Sequence, residues 1–74
     1  MKLPLLSGKE VVKILQKRGF KILDQKGSHV IMRKINGKKL TAVVPQHPEI
    51  AKGTLLSILK QAEMTRDDLE EALS

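Results

Sequence analysis

The sequence predicts an α+β domain in which one antiparallel sheet carries helices on a single face. Three observations indicate this fold: a helix start signal near the N-terminus, two turn signals between strand-like runs, and an apolar stripe at helical spacing in the second half. The predicted order is helix, three strands, helix and a short last helix. We expect one domain over residues 1–74, with the uncovered sheet face free to meet a ligand.

The first helix has a complete start signal. Ser7 is a predicted N-cap, and Glu10 three residues later completes a capping box. Gly19 suits the position just past the helix end, where a positive φ is common. The apolar residues of this segment share one helix face: Val11, Ile14 and Leu15.

Two strands are predicted next, over residues 20–25 and 28–34, with the turn signal Lys26-Gly27 between them. Phe20 and Ile22 are expected to share one face of the first strand. Alternation in the second strand separates His29, Ile31 and Arg33 from Val30 and Met32. Both sets include apolar residues, so the pattern leaves the buried face of this strand open.

A tight hairpin and a third strand follow. Asn36-Gly37 is a strong hairpin signal because both residues tolerate a positive φ. The third strand is predicted over residues 40–44, and Pro45 ends it.

The last third of the chain predicts two helices. Gly53-Thr54 opens the first of them, and Thr65 is a predicted cap for the second. Asp67 and Asp68 then lie near the positive end of the helix dipole. The stripe predicted to enter the core consists of Leu55, Ile58, Leu59 and Ala62.

The charge is unevenly distributed along the chain. The net charge is +6, and the first 52 residues hold 12 of the 14 basic residues and 3 of the 8 acidic ones. A basic region of this kind favours a polyanion partner, although a basic surface without a specific ligand stays open. The chain has a single aromatic residue, Phe20, so bases would not be stacked on aromatic rings. We therefore expect contacts to the RNA backbone and shape.

Composition also excludes several kinds of chemistry. With no cysteine, thiolate catalysis and cysteine zinc sites are excluded. Two histidines and Glu49 without helical spacing are a weak ligand set, so we expect no metal and no cofactor. No apolar run approaches the length of a membrane span, and the lack of cysteine fits a cytoplasmic location.

His29 is the first candidate for catalysis. It follows Gly27-Ser28 at a hairpin mouth, and histidine is the side chain best suited to proton transfer near neutral pH. As a general base it would deprotonate the ribose 2′-hydroxyl, which attacks the adjacent phosphodiester. The residues predicted to contact RNA are Lys26, Gly27, Ser28, Arg33, Lys34, Lys38 and Lys39. The alternative for His29 is an ordinary strand histidine.

His47 is the second histidine, and Pro45 and Pro48 restrict the backbone around it. It is a possible secondary acid/base group, able to protonate the 5′-oxygen leaving group if the fold brings it near His29. The alternative is a loop histidine bonded to nearby backbone.

Several motifs in one order resemble the HicA (YcfA-like) toxin family. They are Leu6-Ser7-Gly8-Lys9-Glu10, Arg18-Gly19-Phe20, Gln25-Lys26-Gly27-Ser28-His29, Val44-Pro45-Gln46-His47, Gly53-Thr54-Leu55 and Ile58-Leu59-Lys60-Gln61-Ala62. The resemblance covers nearly the whole chain. One departure is Ala62-Glu63-Met64-Thr65, where the family often has Ala-Gly-Leu-Ser, so the glycine between the last two helices is missing.

The resemblance implies both a fold and a function. Family members have a fold similar to the double-stranded-RNA-binding domain, α-β-β-β-α. They are toxins of type II toxin–antitoxin systems that cleave mRNA, and a HicB antitoxin masks their active site. The family's catalytic histidine corresponds to His29, and its second histidine to His47, for which no role carries over. Gly27 and Ser28 carry over as candidates for shape and phosphate contact.

Two other functions compete with a ribonuclease toxin. The first is a non-catalytic module that binds double-stranded or structured RNA and in which His29 is structural. The second is an interaction domain whose positive surface docks an acidic protein.

Overall fold

The computed structural model describes residues 3–73, which form three helices and three strands. The sheet is antiparallel with strand order β1-β2-β3, α1 packs on β2 and β3, and α2 packs on β3. These contacts confirm the predicted α+β class and the helix–three strands–helix order. In chain order the elements are α1 (Gly8–Lys17), β1 (Lys21–Lys26), β2 (His29–Ile35), β3 (Lys39–Pro45), α2 (Lys52–Gln61) and α3 (Arg66–Leu73).

The first helix forms as its start signal predicts. The backbone N–H of Glu10 donates to Ser7 Oγ at 3.2 Å, and the backbone N–H of Ser7 donates to Glu10 Oε1 at 3.0 Å. This reciprocal pair satisfies donors that the first helical turn cannot satisfy itself. All three predicted apolar residues of α1 are buried, and Gly19 follows the helix at a φ of 94°.

The buried face of the sheet belongs to Val30 and Met32 in β2 and to Ala42 and Val44 in β3. The predicted alternation in β2 is correct, and packing against the helices decides which side is inward. His29 and the residues that alternate with it therefore lie on the opposite side, called here the open face.

The predicted shared face of Phe20 and Ile22 is only partly buried. Ile22 pairs with the buried Met32, which places it on the helix side of the sheet, yet it is 52% exposed whereas Phe20 is 2% exposed. Phe20 precedes the strand and enters the core directly from the end of α1. The strand itself lies at the sheet edge with all six residues exposed, and its pairing with β2 is irregular between Ile22 and Asp24.

The β2–β3 hairpin forms at the predicted Asn36-Gly37 signal. Ile35 pairs with Lys39, so the loop contains three residues, and of these only Gly37 has a positive φ, 78°. The backbone N–H of Asn36 donates to the carbonyl of Lys38 across the loop at 3.1 Å. The hairpin therefore needs a positive φ at Gly37 and not at Asn36.

The C-terminal helices confirm their predicted stripe and cap. The four apolar residues predicted to enter the core from α2 and its end are buried, although α2 begins at Lys52, one residue before Gly53. The chain then turns at Glu63, which adopts a φ of 54° where the family often has glycine. The Asp68 N–H donates to Thr65 Oγ1 at 3.0 Å, and the Thr65 N–H donates to Asp68 Oδ2 at 2.9 Å.

Candidate active site

A cleft of about 430 Å³ lies where the start of β2, the end of β3 and α2 meet. Both histidines of the chain line it, although they are far apart in sequence. Its lining comprises His29, Val43, Pro45, His47, Gly53, Thr54, Ser57, Ile58 and Gln61. A second cavity of about 330 Å³ is lined by Gly19, Lys21, Ile22, Leu23, Arg33 and Ile35 and contains no histidine. The two-histidine cleft is therefore the candidate active site.

The β1–β2 hairpin holds His29 at the mouth of this cleft. Lys26 pairs with His29, so the loop consists of Gly27 and Ser28 alone, and Gly27 has a φ of 58°. A Cβ added at Gly27 would meet no heavy atom within 4 Å, so this position needs glycine for its backbone conformation and not for space. His29 is the first residue of β2, is exposed, and pairs with Pro45 on its other side.

Backbone hydrogen bonds hold His47 in the connector after β3. The N–H of Gln46 donates to the carbonyl of Ser28, which ties the connector to the residue before His29. The N–H of Gly8 donates to the carbonyl of His47 at 2.9 Å, which ties the connector to the start of α1. His47 therefore reaches the cleft through contacts that are distant in sequence.

Lys26 and Arg33, two of the predicted RNA-binding residues, lie on the open face with His29 at different distances from it. Lys26 is directly opposite His29, and such pairs have Cβ atoms about 4.5–5.5 Å apart. Arg33 lies on the open face four residues further along β2, about 13 Å away at about 3.3 Å per residue. Its Nε donates to Thr41 Oγ1 at 3.4 Å, which directs the guanidinium across the open face.

The other predicted lysines lie away from the cleft. Lys34 alternates with Arg33 onto the other side of the sheet, with Nζ 6.0 Å from the centroid of the Phe20 ring. Lys38 and Lys39 are at the opposite hairpin, about 20 Å along β2 from His29. Lys38 also forms an ion pair with Glu63. These three lysines are therefore not part of the two-histidine cleft.

Sequence reasoning missed three polar residues of α2 that line the cleft: Thr54, Ser57 and Gln61. Their spacing, i, i+3 and i+7, places them on one side of the helix, away from its core stripe. This polar stripe was visible in the sequence, but nothing in the sequence showed that it would face a histidine. Lys9 was likewise missed, and it lines an adjoining cavity with His47.

The described residues hold neither a metal-binding cluster nor a membrane-spanning helix. Within residues 3–73, no three His, Cys, Asp or Glu side chains come together as a possible metal site. None of the helices in that range is long and apolar enough to span a membrane.

The fold and the cleft define a small basic α+β domain with two histidines in one open site. The profile of the family described as HicA toxin of bacterial toxin-antitoxin matches residues 8–64. The chain belongs to this family, and the predicted resemblance is confirmed. A comparison with curated proteins gave no match. As a member of a toxin–antitoxin family, the chain has an antitoxin as its implied partner.

Proposed function

We propose that this chain is an endoribonuclease that cleaves mRNA, with His29 as general base and His47 as general acid. The observation that carries the proposal is that both histidines line one cleft. Membership of a toxin family supports it, because destruction of mRNA is a direct way to stop growth. The proposal also gives a chemical use to the only two imidazoles in the chain.

The proposed reaction is an internal phosphoryl transfer. Neutral His29 accepts the proton of the ribose 2′-hydroxyl while the 2′-oxygen forms a bond to the adjacent phosphorus. The bond from phosphorus to the 5′-oxygen breaks, and protonated His47 gives its proton to that oxygen. The products are a 2′,3′-cyclic phosphate and a 5′-hydroxyl end, and the two histidines have exchanged protonation states.

The surroundings of the cleft favour a phosphate. Gly53 and Thr54 belong to the first turn of α2, whose N-cap Ala51 supplies no side-chain acceptor for the free N–H groups. Such N–H groups and the helix dipole attract anions. Lys26 beside His29 adds a positive charge where negative charge develops on the phosphate.

The proposed antitoxin is of the HicB type, and we propose that it neutralises the toxin by covering this cleft. The exposure of both histidines supports this, because a protein bound over the cleft would exclude RNA from it. The excess of positive charge would favour an acidic surface on the antitoxin.

The decisive experiment incubates the purified protein with end-labelled mRNA in excess EDTA. His29→Ala and His47→Ala should each lower the cleavage rate by about 10²-fold or more, the usual contribution of a general acid or base. Circular dichroism verifies folding, and Lys13→Ala, at an exposed site on α1, is the matched control. The 3′ ends should carry a cyclic phosphate.

Each alternative has its own signature in this assay. If the parent protein binds RNA but leaves it intact, the result would favour a non-catalytic RNA-binding module over a nuclease. Full cleavage by His47→Ala would remove His47 from the mechanism while leaving His29 in it. A parent that neither binds nor cleaves RNA would point to a protein ligand alone.

A further inference from the structure

Two residues of the polar stripe of α2, Thr54 and Ser57, line the cleft without contributing to the core or to the helix cap. Thr54 and Ser57 are exposed and contribute nothing to the buried core, which the opposite side of the helix supplies. Thr54 does not cap the helix, because Ala51 is its N-cap. Both residues instead line the same cavity as His29 and His47.

Gln61 is oriented by the edge of the sheet. The backbone N–H of Val43 donates to Gln61 Oε1 at 3.1 Å. Because an N–H can only donate, this contact fixes the amide oxygen toward β3 and leaves the two N–H donors of the amide for other partners. The side chain thus provides oriented donors in a cleft whose lining contains no Phe, Tyr or Trp.

Resting on the proposed function, we propose that Thr54, Ser57 and Gln61 are the substrate-binding wall of the nuclease. The hydroxyls of Thr54 and Ser57 would bind the phosphate and ribose beside the scissile bond. The amide N–H groups of Gln61 would donate to an acceptor on the adjacent base. Gln61 is then a specificity-determining residue that favours bases presenting an acceptor to it.

The shape of the cleft favours one unstacked nucleotide of a single strand. A volume of about 430 Å³ lies in the range of small-ligand pockets, about 300–1,000 Å³. Bases in single strands can be splayed out and hydrogen-bonded along their edges, whereas a duplex presents its shape and backbone. The lining has no Phe, Tyr or Trp, and the proposed function assigns both imidazoles to proton transfer, so hydrogen bonds from this wall are proposed to hold the base.

The test measures binding of a short single-stranded RNA of mixed sequence by the His29→Ala protein, which leaves the RNA uncleaved. Adding Thr54→Val and Ser57→Ala together should raise the Kd by about tenfold or more, since hydrogen bonds to charged groups are the stronger class. Thr54→Ser keeps a hydroxyl and should bind like its parent. Comparing Thr54→Ser with the double variant separates the loss of hydroxyl groups from other effects of substituting the helix.

Gln61→Glu tests the donor role separately. A carboxylate still accepts from the Val43 N–H but offers no donor, so the sheet contact stays and the contact to RNA is lost. Gln16→Glu is the matched control, because Gln16 is exposed on α1 and the change in charge is the same. In the cleaving parent, Gln61→Glu should also redistribute the cut sites, which a purely structural role would not do.

The outcomes separate the two proposals. If the parent cleaves RNA and the variants of the substrate-binding wall keep its Kd, KM and cut sites, the proposed wall is refuted and the proposed nuclease activity is retained. If the parent binds without cleaving, the nuclease is wrong, and the same Kd comparison still decides the wall. Equal losses in Gln61→Glu and Gln16→Glu would overturn the donor role, because charge alone would explain them.

Discussion

Gly8→Ala tests whether the start of α1 positions the second histidine. A Cβ at Gly8 would lie 2.3 Å from the carbonyl oxygen of Pro45 and 2.7 Å from Cα of Gln46. Ordinary contacts of a Cβ lie at 3.4–4 Å, so the connector would have to move by about 1 Å. These are backbone atoms, which cannot rotate away as the end of a flexible side chain can.

The magnitude follows from the overlap and from the hydrogen bonds at risk. Overpacking of this kind costs about 1–3 kcal/mol. Moving the connector also weakens the bonds from Gly8 to His47 and from Gln46 to Ser28, each worth about 1 kcal/mol. We expect a loss of about 2–4 kcal/mol from a total of roughly 4–11 kcal/mol, taken from about 0.05–0.15 kcal/mol per residue. A parent near the middle of that range keeps most Gly8→Ala molecules folded, whereas a parent at its lower end does not.

Urea unfolding followed by circular dichroism measures the loss, and the RNA cleavage assay measures its effect on the site. Cleavage should fall further than the folded fraction, because His47 moves with the connector. Gly53→Ala is the stability control: its added Cβ meets nothing within 4 Å, and alanine should stabilise α2 by up to about 1 kcal/mol. Equal stability of Gly8→Ala and the parent would refute the close approach of Gly8 to the connector. Normal cleavage by a destabilised Gly8→Ala would refute the role of Gly8 in positioning His47.

Two further predictions concern the C-terminal third. Glu63→Gly should raise the free energy of unfolding by about 1 kcal/mol. A left-handed φ costs an L-residue about 1–2 kcal/mol, and the exposed ion pair with Lys38 that the variant loses is worth less. A variant that unfolds at lower urea than the parent would contradict this prediction. The N–H and hydroxyl of Thr65 lower the pKa of Asp68 below its ordinary value of 3.8, so its stabilisation is present above that pH and is lost as pH falls through the lower folded pKa. The free energy of unfolding should accordingly fall less between pH 5 and pH 2 in Asp68→Asn than in the parent. Urea midpoints that fall equally in the two proteins would show that ionisation of Asp68 does not stabilise the cap.

Local signals in the sequence were sufficient for most of the fold. The Ser7–Glu10 box, the alternation through β2 and the Thr65 cap each depend on residues a few positions apart, and each forms as predicted. Local pattern does not determine burial, which depends on tertiary packing. Ile22 lies on the helix side of the sheet but stays exposed, because β1 is at the sheet edge while the helices pack on β2 and β3.

Glu63 shows how packing can override a missing local signal. The sequence lacks the glycine that often separates the last two helices in this family, yet the chain turns there. Met64 and Leu69 beyond the turn are buried in the shared core. Burying apolar side chains of this size is worth about 1.5–3 kcal/mol each, which exceeds the cost of placing Glu63 in a left-handed conformation.

The candidate site could be predicted only in halves. The position of His29 follows from a turn signal and strand alternation, which are local, and so does its neighbour Lys26. The approach of His47 depends on hydrogen bonds to Ser28 and Gly8, which lie many residues earlier in the chain. A local pattern cannot encode such an approach, because the same proline-flanked histidine would be an ordinary loop residue if the start of α1 lay elsewhere. The second half of the site is therefore a product of tertiary packing, and Gly8 contributes to it although it carries no chemistry of its own.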